Sequence, residues 1–504
     1  MNKNIKVKTS LHYLYSQKVL PIISLLFIGV LTFSCFTIAF NAVSPFVSGD
    51  SDTTVNNENE LKDAIKDATV TKKPSIIALD KDITLSEPLN IPTNAYITLI
   101  SNGENNEFKL IGANDANTIV VEEGGVLILD NGVVITHNNN GNGVSITAGG
   151  TFIMSGGKIS GNTNVDGGGV VNHGNFSLTS GLITNNVNCG VLTYGNFTMS
   201  GGKISGNTGS GVVNYGIFSL LEGEISFNKA DAGGGVYLNS NYSSGNFTMS
   251  GGKIFNNTVT EMGGGVYSAG VLFNLTDGVI TNNTANTGGG VFLSGGVFSL
   301  SDGEVSNNTA TSGGGVHNYR GNFTMSKGEI FNNTATNGGA IYSYGGNTIL
   351  TGGKISNNTA IQNGAGIGVP SNAGLEYVYV SNDVTFSNNH AATAILDRDP
   401  IHDKLYESHI GNKVVWTKPF EQGYNNYDIA YTNNSHTNND PDLNNSPTIN
   451  PNNPVNSSSN NSDKNNEGLD LRIAVIAILM AAIILAVLFF YLPKRNKSFE
   501  KTNL

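Results

Sequence analysis

Charge is scarce in this chain of 504 residues: 13% are Asp, Glu, Lys or Arg, and the balance is acidic at −11. No basic cluster stands outside the termini, which argues against a nucleic-acid partner, since such a binder must neutralise phosphates with grouped Lys and Arg. Cysteine is almost missing. Cys35 lies in an apolar N-terminal run and Cys189 in a turn, so no disulfide is expected and stability has to come from packing. The histidines are few and scattered. His173, His317 and His390 occupy different repeat positions with no ligand spacing between them, which gives no reason to expect zinc. Calcium repeats of the Gly-Gly-x-Gly-x-Asp type do not occur either. The reading assigns no metal and no cofactor.

What the chain has is glycine, 63 residues of it, and a repeat. Nine segments place an Ile or Val three residues before an Asn: Ile159/Asn162, Ile183/Asn186, Ile204/Asn207, Ile225/Asn228, Ile254/Asn257, Ile280/Asn283, Val305/Asn308, Ile330/Asn333 and Ile355/Asn358. Successive asparagines stand 24, 21, 21, 29, 26, 25, 25 and 25 residues apart, a period that belongs to solenoids. Seven residues before each Ile or Val comes Phe152, Phe176, Phe197, Phe218, Phe247, Phe273, Phe298 or Phe323, with Thr348 as the exception, and two residues later a Leu or Met. Phe-x-Met at period two reads as a short strand with both side chains on one face. Gly-Val or Gly-Gly-Gly-Val then sets Val170, Val191, Val212, Val236, Val266, Val291, Val316 and Ile341 in register.

Three such strands per coil are too short to fold alone and bury their apolar side only against the coils above and below. The chain therefore reads as all-β, a right-handed parallel β-helix solenoid of about a dozen coils. At about 4.8 Å per coil its shaft is roughly 60 Å long, with Phe, Leu/Met, Ile, Val and Asn each stacked on their own kind. A leucine-rich repeat fits the period, but its Leu-x-x-Leu-x-Leu consensus is absent.

Phe/Ile-x-x-Asn alternating with Gly-Gly-Ala-Ile, as at Gly338, Gly339, Ala340, Ile341 and Phe386 to Asn389, resembles the repeats of chlamydial polymorphic outer-membrane proteins. It is also similar to adhesin-like β-helix proteins of gut archaea and Gram-positive bacteria. The likeness covers roughly residues 120 to 390. It implies a surface-displayed, pectate-lyase-like β-helix with an adhesive role, although the autotransporter barrel of the chlamydial proteins has no counterpart.

The organisation expected from the sequence starts with residues 1–42 as a signal peptide or signal anchor, basic at Lys3, Lys6, Lys8 and Lys18 before the apolar run from Val19 to Phe40. Residues 51–130 form an N-terminal cap and first coils, the cap being a helix with Leu61, Ala64, Ile65 and Ala68 on one face. Repeats follow over 131–390, and an aromatic C-terminal cap with Trp416, Tyr424, Tyr427 and Tyr431 over 391–434. Residues 435–470, rich in Asn, Pro and Ser, read as a disordered tether. Residues 471–492 are apolar enough for one transmembrane helix, and the basic tail 493–504 assigns the C-terminus to the cytoplasm and the repeats to the outside. The expected location is the cell membrane, single-pass, or two-pass if the N-terminal segment stays uncleaved.

For function, the sequence points to the outward side of the Val strand. If Val faces in, the next residue and the one two beyond it face out, giving an aromatic stripe of Tyr237, Tyr267, Phe292, His317 and Tyr342 beside Tyr194, Tyr215, Tyr319 and Tyr344. Exposed aromatics on a rigid strand face stack on sugar rings, so the expected partner is a glycan or a protein on another surface. The competing account is that neighbouring rings stack along the coil axis and shield the sheet.

A polysaccharide-acting lyase or hydrolase is the rival function, since the fold supports both. The carboxylates on offer are Glu222, Glu224, Asp277, Asp302, Glu304 and Glu329. The column of Glu224, Glu304 and Glu329 also carries Lys158, Lys203, Lys253 and Lys354, a mixture that reads as a solvated face, so no catalytic residue is assigned. A third alternative is a cell-envelope spacer that binds nothing. Asn-x-Ser/Thr sequons recur at Asn175, Asn196, Asn246 and Asn322 and at Asn256, Asn282, Asn307, Asn332 and Asn357. They read equally as glycosylation acceptors and as ordinary turn chemistry.

Overall fold

A computed structural model describes residues 51–391, apart from short breaks at 104–105, 114, 241–244, 363, 371–376 and 382, together with 429–431. The expected signal, tether, membrane span and tail, and most of the C-terminal cap, lie outside the described residues. Among those described, no helix is long and apolar enough to cross a membrane.

The chain winds as a right-handed parallel β-helix of about 12 turns, and every strand pair is parallel. Register follows the repeat residue for residue. Phe176 pairs with Phe197, Ile183 with Ile204, and Val191 with Val212. The Phe strands and Ile strands belong to one sheet bent at the intervening turn, and the Val strands form a second sheet. A fourth, shorter pairing was not anticipated. It runs directly after the Asn position, through Thr309–Ser312, Thr334–Asn337, Thr359–Ala360 and His390–Ala391.

The interior consists of columns of like residues. Phe rings stack with centroids 5.1 Å apart at Phe152/Phe176 and 4.6 Å at Phe273/Phe298, with interplanar angles of 7° and 8°. Thr348 ends this column, and its hydroxyl is satisfied by Ser343 at 2.9 Å and by the Asn318 amide at 3.1 Å. A buried polar group in the place of a ring is tolerated because it is fully hydrogen-bonded.

The repeated Asn-Asn pair has a backbone explanation. The second Asn is buried, and its Nδ2 donates to the Oδ1 of the Asn one coil on, from Asn162→Asn186 at 2.9 Å through Asn283→Asn308 at 3.0 Å to Asn358→Asn389 at 2.9 Å. Each Oδ1 also accepts the backbone N–H of the preceding Asn, as at Asn257→Asn283, 3.0 Å. The residue before it sits in the left-handed region, at φ 54° to 55° for Asn256, Asn282, Asn307, Asn332 and Asn357. Asn tolerates that conformation, and Gly161 and Gly206 occupy the same place in other coils.

The N-terminal edge is closed by a helix, Glu58–Thr71, longer at both ends than its apolar pattern suggests. Asn57 caps it by accepting from Glu60 N, while the Glu60 carboxylate accepts from Asn56 N, a reciprocal capping box. Leu61, Ile65 and Ala68 bury against the first strands. Burial raises the pKa of Glu58, but hydrogen bonds from Lys62 and Ser86 outweigh that and hold the carboxyl below the usual range.

Candidate binding surface

The Val strand sets its aromatic neighbours in two columns that differ sharply in exposure. The first column, next to Val, corrects the expectation of an outward stripe. Phe292 is 5% and His317 6% exposed, while Tyr237, Tyr267 and Tyr342 are half-buried. The reason is the Gly-rich turn ahead of each Val, which folds back over the column. A Cβ on Gly288 would lie 2.8 Å from Phe292 Cα, and one on Gly313 2.8 Å from His317 Cα. His317 Nδ1 lies 3.3 Å from the Ser312 carbonyl of that turn, and burial pushes its pKa down to about 4. Burial also raises the Tyr267 phenol, with a further contribution from neighbouring Tyr237.

The rings of this column stack on one another as well, Tyr237 on Tyr267 at 4.9 Å and Tyr267 on Phe292 at 5.6 Å. A ring whose two faces are covered by its neighbours has only an edge to offer, so stacking along the axis consumes the surface that a sugar would use.

The second column is the accessible one. His173, Tyr194 and Tyr215 stack over three coils at 4.7 and 5.1 Å, with interplanar angles of 4° and 13°. His173 is exposed and Tyr194 is 37% exposed. The corner beneath them is held by buried amides: Asn172 Oδ1 accepts from Gly174 N at 3.0 Å, and Asn214 Oδ1 from Gly216 N at 3.1 Å. Just past this corner the exposed Asn196 amide donates to Asn175 at 3.0 Å. Lower on the shaft Tyr319 stacks on Tyr344 at 5.3 Å with Arg320 over its ring at 5.1 Å, and Tyr344 is 41% exposed. The sequence-derived set thus divides into a column that is buried or half-buried throughout and two stacks that reach exposure at Tyr194 and at Tyr344, with Tyr215 and Tyr319 half-buried.

The carboxylate column keeps its register, Lys203–Glu224–Lys253 and Glu304–Glu329–Lys354. Its members pair with lysine, Lys203 to Glu224 at 3.0 Å and Lys354 to Glu329 at 3.8 Å, as on a solvated face. Among the described residues no group of His, Cys, Asp and Glu is placed to hold a metal ion. Cys189 is buried, its thiol pushed up to about 12, and its Sγ donates to Gly167 O at 3.2 Å.

Two further surfaces were missed from the sequence. On the outward side of the Phe strand, Ser and Thr flank the inward Leu or Met coil after coil, as in Thr198-Met199-Ser200 and Thr324-Met325-Ser326. The signal lies in the repeat itself, where Ser and Thr recur on either side of the Leu or Met column. The coil 217–228 departs from every neighbour. Ile217, Leu221 and Phe227 are 54%, 43% and 54% exposed, and Phe227 takes the left-handed position at φ 56° that other coils give to Asn or Gly.

Compared with known proteins, the chain matches no family model, no curated protein and no solved structure.

Proposed function

We propose that this protein is a membrane-anchored cell-surface adhesin whose β-helix is a rigid shaft that binds glycans on another surface. The observation that carries the reading is the His173–Tyr194–Tyr215 stack, exposed at His173 and Tyr194 and half-buried at Tyr215, beside the Asn175–Asn196 amide pair. Aromatic edges, terminal ring faces, phenol groups and amides converge there on a backbone fixed by buried hydrogen bonds, and this mixture suits a ligand that is apolar on its ring faces and polar at its rim. The resemblance of the Gly-Gly-Ala-Ile and Phe-x-x-Asn repeats to adhesin-like and polymorphic outer-membrane β-helices, of the pectate-lyase-like kind, supports the same role. Anchoring rests on the apolar residues 471–492 and the basic tail, which orient the repeats outward.

The test is a glycan panel probed with the full chain in mild detergent, beside a variant carrying His173→Ala, Tyr194→Ala and Tyr215→Ala. Binding by the parent, weakened about tenfold or more in the variant, is the expected result, each aromatic contact being worth about 0.5–1.5 kcal/mol. Equal binding by both would remove the stack as the site. Deleting 471–492 is expected to release the protein from the membrane fraction.

A further inference from the structure

The outward positions of the Phe strands are uncharged. Between Thr151 and Thr351 the three outward positions of each Phe strand hold Asn, Ser, Thr or aliphatic residues and no Asp, Glu, Lys or Arg, in a chain whose net charge is −11. Four coils present the same pair of hydroxyls at alternate positions: Thr198/Ser200, Thr248/Ser250, Ser299/Ser301 and Thr324/Ser326. Each of the eight side chains is partly or fully exposed, and none makes a hydrogen bond within the protein. Their counterparts Thr179, Thr276 and Thr351 turn back to main-chain carbonyls of Met154, Met249 and Met325 at 3.3 Å, so the eight open hydroxyls are a subset and not a property of every coil.

Geometry makes this set a lattice. Alternate residues along a strand are about 6.6 Å apart, and coils repeat at about 4.8 Å. The Phe centroids directly beneath this face keep a spacing of 4.6 to 5.1 Å from coil to coil, and the middle column Thr198–Ser219–Thr248–Asn274–Ser299–Thr324 stays in register, while a bulge at the third position sets Ser200 opposite Glu222 and Ser250 opposite Asp277. From the Thr198 coil to the Thr324 coil there are five steps, or about 24 Å. Two coils interrupt the lattice: one carries an apolar bar, Ile217 and Leu221 on either side of Ser219, and the other carries Leu272, Asn274 and the inward-bonded Thr276.

We infer that this face docks on an ordered, neutral polysaccharide, its hydroxyl lattice meeting rows of sugar hydroxyls and its apolar bar meeting exposed ring faces. The inference rests on the glycan-binding reading and goes further in naming an uncharged polymer presented as a surface. The outward positions themselves carry no charge, with Glu222, Asp277, Asp302 and Lys327 standing only at the edge beyond them, and an uncharged field of this extent matches a neutral polymer better than an acidic one that needs lysines across its breadth. Rigidity selects the ordered form: donors and acceptors fixed in two dimensions lose little freedom on meeting a lattice, whereas a free oligosaccharide has to be ordered first.

The full chain in mild detergent is titrated onto microcrystalline cellulose and onto chitin, and onto soluble oligosaccharides of the same sugars. The fourfold variant Thr198→Val, Thr248→Val, Ser299→Ala and Thr324→Val removes hydroxyls while keeping shape and strand preference. Saturable binding to at least one particle, weakened at least about tenfold by this variant and little by the His173/Tyr194/Tyr215 variant, is the expected result. Ser250→Lys with Ser301→Lys provides a second blocking variant at exposed positions. Undiminished particle binding by both hydroxyl-face variants would overturn the inference. Binding of soluble glycans through the aromatic stack, without particle binding, would overturn it too and leave the glycan-binding reading standing. No binding of any glycan, soluble or insoluble, would overturn both.

Discussion

A single carboxamide in the Asn ladder serves four hydrogen bonds. Asn257 Oδ1 accepts from Asn228 N and Nδ2, both at 3.0 Å, while its Nδ2 donates to Asn283 Oδ1 at 3.1 Å and to Ile225 O at 3.0 Å. Asn257→Ala strands donors on one side and an acceptor on the other in a buried turn, so a loss of about 3 kcal/mol is expected, read as faster amide exchange in coils 228–283. Phe227→Asn should act the other way. It replaces a bulky left-handed residue by one that accepts that conformation, and a gain of about 1 kcal/mol in the same measurement is expected. The ladder was legible in the sequence because each Asn stands three residues after an Ile or Val in every one of the nine segments. The reason for the first Asn of each pair was not, since a positive φ leaves no periodic trace, and only the Gly161 and Gly206 equivalents hint at it.

At the scale of the element, the aromatic column beside Val shows where sequence reading stops. Alternation correctly gave which residues leave the core, but not that a Gly-rich turn would fold back over them. His317 is therefore a buried histidine, held between Phe292 at 4.9 Å and Tyr342 at 5.2 Å. Its pKa falls from 6.5 to about 4 on folding, because burial disfavours the imidazolium and the contact with the Ser312 carbonyl recovers only part of that. The unfolded chain thus takes up the proton first. Stability from this group is complete above about pH 6.5, declines as pH falls and is fully lost below about pH 4, a change of about 3 kcal/mol. His317→Phe, which copies the neighbouring coil, should abolish that part of the pH dependence. Protease resistance of the 284–344 region at pH 4.5 against pH 7.5 in both proteins checks it.

Over the described residues 51–391 the β-helix is a stack in which each coil touches chiefly its neighbours, so its ends govern whether further strands can add to it. The helix Glu58–Thr71 and the strand Thr53–Val55 cover the first edge. Leu61→Asp, placing a charge in the buried contact of that helix, should free strand edges to recruit other chains, and light scattering is expected to report larger assemblies for the variant than for the parent. The fold was readable because a solenoid writes the same contact many times, so each column is seen repeatedly in one chain. A binding surface lacks that redundancy. The His173–Tyr194–Tyr215 stack spans three coils and the apolar bar one, and such departures from the repeat become visible only when exposure separates them from the columns that merely pack.

The amide ladder also bears on how such a shaft changes between generations. Every rung from Asn186 to Asn358 presents the same carbonyl to the coil before it and the same amide hydrogens to the coil after it. Excising one coil, or copying it, leaves two cut faces that already match. Gain or loss of whole coils would then yield longer and shorter shafts whose amide ladder stays continuous, making reach a trait that a lineage can adjust in single-coil steps.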